Sequence, residues 1–388
     1  MPLDCENSSD HIAVVTLAFE GGGPERDTVF LCNALASQGV RVTILVVRDQ
    51  GPLRSLLDPT VRVVVVPGRR IRYAVPGLRR VIRAIEPRLV LSSGTTNLPT
   101  LLAVRTLPAG SRPKLVLREV SVPSMARHDP YRANWFSYLF LRYFFRYADR
   151  IITLTEGARR ELIQSFSVPG TLISVMPVNA VIPPATARRL AEWNGETGRE
   201  RDLIVCVGRL SAEKDQRTLL RAMTLMPAGR PWRLAIVGDG PDRAVLEAFA
   251  RSNGLAGRII FTGYVTDPFA WMMRARVLVL SSIYEGLPCV LMEALACGTP
   301  VVCTDCPYGP RQILQDGRYG TLVPVGDPSA MAKAIAAALD EAPDRRPLMQ
   351  RGLNYTAEQA AVRFLEIVDE LAPWRANSLR AVAVTDVS

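Results

Sequence analysis

The sequence predicts two doubly wound α/β domains in series. Three observations carry this. Short β-branched runs alternate with helix-like stretches throughout, the pattern of βαβ units on a parallel sheet. That alternation comes in two series, separated by a stretch with Pro183-Pro184, Gly195 and several charges that reads as a linker. At 388 residues the chain is long enough for two or three cores.

The first series opens with HIAVVTL at 11–17. An amphipathic helix follows over 28–38, with Gly39 as its stop. Strands are expected at 42–47, 61–66, 88–93, 114–118 and 150–154. The second series has strands at 202–208, 232–238, 259–261, 277–280 and 299–303. The expected boundaries are 1–182 for the first domain, 183–200 for the linker and 201–352 for the second domain. The segment 353–388 holds a last helix returning to the first domain, then a frayed tail. Ligands of such sheets bind beyond the carboxyl ends of the strands, so with two sheets the natural site is the cleft between them.

Composition narrows the function classes. The chain is 48% hydrophobic and 22% charged, a globular balance. Its first ten residues lack a basic and an apolar region, and no uncharged apolar run reaches membrane-spanning length. The expectation is a cytoplasmic, non-spanning protein. Seven cysteines fit a reducing compartment. Cys303 and Cys306 have C-x-x-C spacing, but no second pair completes a zinc site, and small-residue filling near a strand end is expected. The net charge is +10, and residues 1–200 carry +9 of it. A charged face meeting phosphates, an anionic lipid surface or nucleic acid is the natural reading. No nucleic-acid motif accompanies it, so nucleic acid is not expected as a partner.

The segment YEGLPCVLMEA at 284–294 is the most informative. Glu285 stands in a loop, and Pro288 suits the first position of a helix. Glu293 lies about five residues inside that helix, roughly 7–8 Å along the axis. Free amides at the helix start favour an anion between the two carboxylates. Hydroxyl-binding carboxylates flanking a phosphate-binding helix end describe a receptor for a nucleotide-sugar. Glu293 sits among apolar neighbours, where an unpartnered carboxylate would be costly.

Other segments are less specific alone. EGGGPER at 20–26 follows the first strand and opens a helix. Gly21, Gly22 and Gly23 let backbone amides approach a phosphate, or they make only a tight turn. It is not G-x-G-x-x-G, which disfavours a nicotinamide enzyme. Arg209 and Lys214, five apart past the strand 202–208, either converge on a diphosphate or form a solvated loop. Gly238 opens G-D-G-P after the next strand, by itself a turn signal. FTGYV at 261–265 could place backbone groups and Tyr264 against a base.

Together these segments resemble the retaining glycosyltransferases of the GT-B fold, family 4. The resemblance covers nearly the whole chain: G-G-G-P-E-R at 21–26, V-G-R with Lys214, G-D-G-P at 238–241, S-x-x-E-G through Glu293, and CPYGPRQIL at 306–314 in a form common among polysaccharide-assembly members. It implies two Rossmann-like domains facing each other across a cleft. The implied activity is transfer of a hexose or N-acetylhexosamine from a nucleotide-sugar, UDP favoured, to a glycan or polyprenyl-diphosphate-linked acceptor. Arg209 and Lys214 would neutralise the donor diphosphate, Glu293 would hold the ribose and Glu285 the transferred sugar. Amides near Gly22, Gly286 and Leu287 would complete the cradle, with Tyr264 by the base. No metal or other cofactor is implied, and no D-x-D motif occurs. Many members carry a histidine near the end of the strand 114–118, where this chain has Val120. Either Glu119 or His128 takes that polar role. A non-catalytic nucleotide-sugar-binding partner of another transferase is the alternative reading.

Arg69, Arg70, Arg72, Arg79, Arg80 and Arg83 crowd one region, and 135–147 is aromatic and basic. These are either a core helix with a solvated basic face or a peripheral contact with the inner face of the cytoplasmic membrane.

Overall fold

The computed structural model describes residues 10–20, 22–68, 70–120, 143–177, 180–193, 198–341 and 344–371. Gly21, Arg69, His128, most of the aromatic stretch 135–147 and the tail lie outside them.

The chain divides into two compact units. One comprises the chain through Val181 and the stretch from Ala357 onward; the other runs from Ile182 to Thr356. The first is built on seven strands: β1 (His11–Thr16), β2 (Arg41–Val46), β3 (Arg62–Val65), β4 (Leu89–Ser93), β5 (Lys114–Glu119), β6 (Arg150–Thr153) and β7 (Ile173–Val175). All pairings are parallel, in the order β3-β2-β1-β4-β5-β6-β7. Every residue of β1 is buried, as expected where helices cover both faces of a parallel sheet. The period-2 alternation divides its side chains between two cores. Ile12 and Val14 pack with Leu31 and Leu35 of the helix Gly23–Ser37 and with Phe364 and Leu365 of the helix Ala357–Asp369. Ala13 and Val15 pack on the other face with Leu78, Ile82, Leu101 and Val104.

Two buried polar contacts bear on this unit. Arg118 of β5 forms an ion pair with Asp27 of the helix Gly23–Ser37, both side chains almost wholly buried. The second Asp27 oxygen accepts the Ala180 amide at 2.6 Å. His11 lies buried with Nε2 2.9 Å from Thr43 Oγ1. Burial first, then the nearby Arg41 cation, lowers its pKa from 6.5 to about 4.

The second unit has β8 (Leu203–Val207), β9 (Arg233–Val237), β10 (Ile259–Gly263), β11 (Val277–Leu280), β12 (Val301–Thr304) and β13 (Thr321–Val323). They too are parallel, in the order β10-β9-β8-β11-β12-β13. The order reverses between β8 and β11, which makes a topological switch point, the usual crevice for a ligand in an open α/β sheet.

The strands β7 and β13 are absent from the sequence reading. Each has three residues, too few for an alternation signal. The expected linker holds a helix, Pro184–Glu192. Pro184 starts it, because the first helical turn needs no amide hydrogen there. Pro288, expected as the first helical residue, is instead the N-cap in extended backbone, and the helix runs Cys289–Ala296. Cys303 and Cys306 are free, buried thiols. Burial first, then the nearby Glu285 carboxylate, pushes Cys306 up to about 12. They fill space at the end of β12. Among the described residues, no helix is long and apolar enough to cross a membrane.

Candidate donor site

The loops leaving β8 and β11, on either side of the switch point, meet in the second unit. Past β8 the chain turns at Gly208 and is tied to the end of β9 and the loop after it: the Gly208 amide donates to Val237 O at 3.0 Å and Leu210 N to Asp239 O at 3.0 Å. Gly238 has φ +143°, and a Cβ there would lie 1.9 Å from Gly208 O. Only glycine permits this close approach of the two loops. Arg209 lies between these ties. Its carbonyl accepts Gln216 Nε2 at 2.8 Å, while its exposed guanidinium makes no ion pair among the described residues.

Lys214 is fixed on both sides. Its amide closes a short turn onto Ser211 O at 2.9 Å. Asp215, at φ +43°, caps the helix Gln216–Thr224 by accepting from Thr218 N at 3.2 Å. The β11 loop grips the same stretch: Ser281 Oγ donates to Lys214 O at 2.8 Å, and Ile283 N to Glu213 O at 2.8 Å. The result is an ion pair, Lys214 Nζ to Glu285 Oε1 at 2.6 Å, with the carboxylate 8% and the ammonium 23% exposed. Burial works to lower the Lys214 pKa; the attraction and hydrogen bond of Glu285 outweigh it, and the net shift is upward. Lys214 therefore stays charged at neutral pH.

Beyond Glu285 the chain enters the helix Cys289–Ala296. No side chain caps its start, and Leu291 N closes the first turn onto Pro288 O at 3.0 Å. Among the described residues, the amides of Gly286 and Leu287, just before the helix, donate to no protein acceptor, which leaves them open to an anion. Glu293 is buried in this helix, 6% exposed. Tyr264, just past β10, is half exposed. The second unit thus holds Arg209, Lys214, Gly238, Tyr264, Glu285, Gly286, Leu287 and Glu293. Gly22, Gly23 and Glu119 belong to the first unit. Gly22 caps the helix Gly23–Ser37, and Glu119 ends β5, buried.

Two features escape the sequence. Lys214 and Glu285 were expected to serve different parts of a donor, and they hold each other. Ser282, wholly buried, donates to the same Glu285 Oε1 at 2.6 Å. It stands in the S-x-x-E spacing, which was visible, but only the fold gives it a partner.

The family model described as "Glycosyl transferases group 1" matches residues 201–341, and the one described as "Glycosyl transferase 4-like domain" matches 22–179. Together they cover most of the chain. A curated relative is the N-acetylgalactosamine-N,N'-diacetylbacillosaminyl-diphospho-undecaprenol 4-alpha-N-acetylgalactosaminyltransferase of Campylobacter jejuni. It is 26% identical over 63% of this chain and 66% of its own length, so the match leaves about a third of that relative uncovered. The lipopolysaccharide core biosynthesis glycosyltransferase LpsE of Rhizobium meliloti is 26% identical over 85% of this chain and 89% of its own. Among solved structures, Anabaena HepE in complex with UDP and glucose has the same fold. Its TM-score is 0.69 at 17% identity, covering 93% of this chain and 99% of that one. With two parallel-sheet α/β units and both family models matched in order, the chain belongs to the group 1 glycosyltransferases of the GT-B fold.

Proposed function

We propose that this glycosyltransferase moves a hexose or N-acetylhexosamine from a nucleotide-sugar, with UDP favoured, to a lipid-linked or oligosaccharide acceptor in cell-surface polysaccharide or glycolipid assembly. The observation that carries the reading is the Lys214–Glu285 pair at the switch point, 2.6 Å apart beside an uncapped helix start. It sets a cation and free amides where a diphosphate would lie, and a carboxylate within reach of sugar hydroxyls.

The hard step is departure of the nucleoside diphosphate from the anomeric carbon. Negative charge grows on the leaving oxygen, and preorganised donors aimed there are the main source of rate. Lys214 and Arg209 supply the cations, and the amides of Gly286 and Leu287 supply dipoles, in a role that needs no metal. Glu285 holds the sugar in transit and Glu293 the ribose. Tyr264 lies by the base. The acceptor attacks on the face the leaving group vacates, so the anomeric configuration is retained without a protein nucleophile. Support for UDP comes from the HepE complex. Support for a lipid-linked acceptor comes from the diphospho-undecaprenol in the Campylobacter relative's name.

A polyprenyl-diphosphate acceptor lives in a membrane, and the first unit has a face suited to it. Arg79, Arg80 and Arg83 stand exposed on the helix Val75–Ile85, with Arg70 and Tyr73 exposed just before it. That face would hold the protein at the inner leaflet of the cytoplasmic membrane.

The test is release of nucleoside diphosphate from a panel of UDP- and GDP-sugars, with and without a polyprenyl-diphosphate-sugar acceptor. Acceptor-dependent release with an α-linked product from an α-linked donor is expected. Binding of a nucleotide-sugar without release or transfer would favour a non-catalytic binding partner instead.

A further inference from the structure

The Glu285 carboxylate is held asymmetrically. Oε1 receives two donors, Lys214 Nζ at 2.6 Å and Ser282 Oγ at 2.6 Å. Oε2 accepts no hydrogen bond among the described residues, and the side chain is 8% exposed. Ser282 is itself fixed from behind. Thr304, the last residue of β12, donates its hydroxyl to Ser282 O at 2.6 Å, and both residues are wholly buried. The loops after β8 and β11 thus each send one donor to a single carboxylate oxygen, and β12 holds the backbone of the second donor from behind.

This asymmetry has a chemical consequence. A lysine alone leaves the carboxylate free to rotate about its last torsion, which is broad for a glutamate. It can then share both oxygens with the ammonium. A second donor on Oε1 from another direction removes that freedom and leaves Oε2 outward as a ready acceptor. It also keeps the ammonium from being fully engaged by Glu285, so Lys214 retains donors for a phosphate.

We propose that Ser282, backed by Thr304, is a positioning residue for the transfer. It fixes the Glu285 carboxylate so that Oε1 orders Lys214 and Oε2 faces the sugar being moved. The proposal rests on the function argued above. Ser282 touches no reacting atom in this account. Its effect falls on turnover, because a carboxylate that must be reoriented loses the pre-set geometry of the reacting centre.

The experiment compares wild type with Ser282→Ala in steady-state release of UDP from UDP-glucose and UDP-N-acetylglucosamine, with UDP affinity by calorimetry and thermal midpoint alongside. The expected result is a turnover lower by about tenfold or more with UDP affinity within about twofold, a loss confined to the transition state. Unchanged turnover overturns the proposal. So does an equal fall in UDP affinity, turnover and thermal midpoint, which marks a purely structural hydroxyl. If Ser282→Ala does not fold, Thr304→Val and Thr304→Ser carry the same comparison. Loss of turnover in the first and retention in the second are expected, and equal behaviour overturns the proposal. Failure of the wild type to release UDP from any donor overturns the functional reading and the positioning role with it. An active wild type with an indifferent variant overturns the positioning role alone.

Discussion

Lys214 Nζ lies 2.6 Å from Glu285 Oε1, although 71 positions separate the two residues in the chain. The pair joins the loops on either side of the switch point of the second sheet, so it is at once a structural tie and the centre of the candidate site.

These two roles separate by substitution. Lys214→Met leaves a nearly buried carboxylate unpaired, and Glu285→Gln leaves the lysine with a neutral partner. Each single change is expected to lower stability by about 2–3 kcal/mol, below the roughly 3–5 kcal/mol of a fully buried pair because the Lys214 side chain is 23% exposed. Lys214→Met with Glu285→Gln together is expected to recover part of that loss while turnover stays at least ~100-fold down. Urea unfolding and donor turnover of all four proteins form a double-mutant cycle. Strictly additive stability changes would show that the contact carries no coupling.

Arg209 gives the contrasting case. Its guanidinium is exposed, without an ion pair among the described residues. Arg209→Ala is expected to leave stability within about 0.5 kcal/mol and to cut turnover roughly 100-fold. Normal turnover would remove it from the diphosphate site.

Gly352 decides how the Glu293 helix is seated. A Cβ at Gly352 would lie 2.0 Å from Ala296 N and 2.4 Å from its Cα. Backbone cannot yield there as a flexible side chain does. Gly352→Ala is expected to destabilise the protein by about 1–3 kcal/mol, the scale of overpacking, and to raise KM for the donor, because Ala296 ends the helix that carries Glu293. A thermal melt and a donor titration check both parts.

His11 gives stability a pH dependence of definite sign. Its folded-state pKa is near 4 against 6.5 when exposed, so between these values the unfolded chain binds the proton and the folded one does not. Stability is therefore full above about pH 6.5 and falls as pH drops toward 4, by up to about 3 kcal/mol from this residue. His11→Gln cannot titrate. Urea unfolding at steps from pH 7.5 to 4.5 should give a flatter profile for the variant. Parallel profiles would show that His11 is not the group responsible.

Much of this fold was legible because parallel strands buried on both faces must be apolar along their whole length. Runs such as 11–16 and 203–207 announce themselves. The strands β7 and β13 did not, because three residues leave no period to read. Glu285 and Glu293 stood out for a local reason, a loop-to-helix change with carboxylates on both sides. The partners of Glu285 did not. Lys214 was visible as a cation, but its union with Glu285 depends on the order of strands β8 and β11, which no local pattern encodes. Ser282 and Thr304 look like ordinary strand-end hydroxyls until β11 and β12 are paired. The buried Asp27–Arg118 pair was hidden for the same reason, being made across 91 positions.

The central claim is that the Lys214–Glu285 pair holds a nucleotide-sugar. Calorimetric titration of UDP into wild type, Lys214→Met and Glu285→Gln, with turnover of the best UDP-sugar in each, tests it most directly. The account expects UDP to bind wild type, at least ~10-fold weaker binding to Lys214→Met, and near-normal UDP binding with lost turnover in Glu285→Gln. UDP binding and sugar turnover that are the same in all three proteins would contradict it.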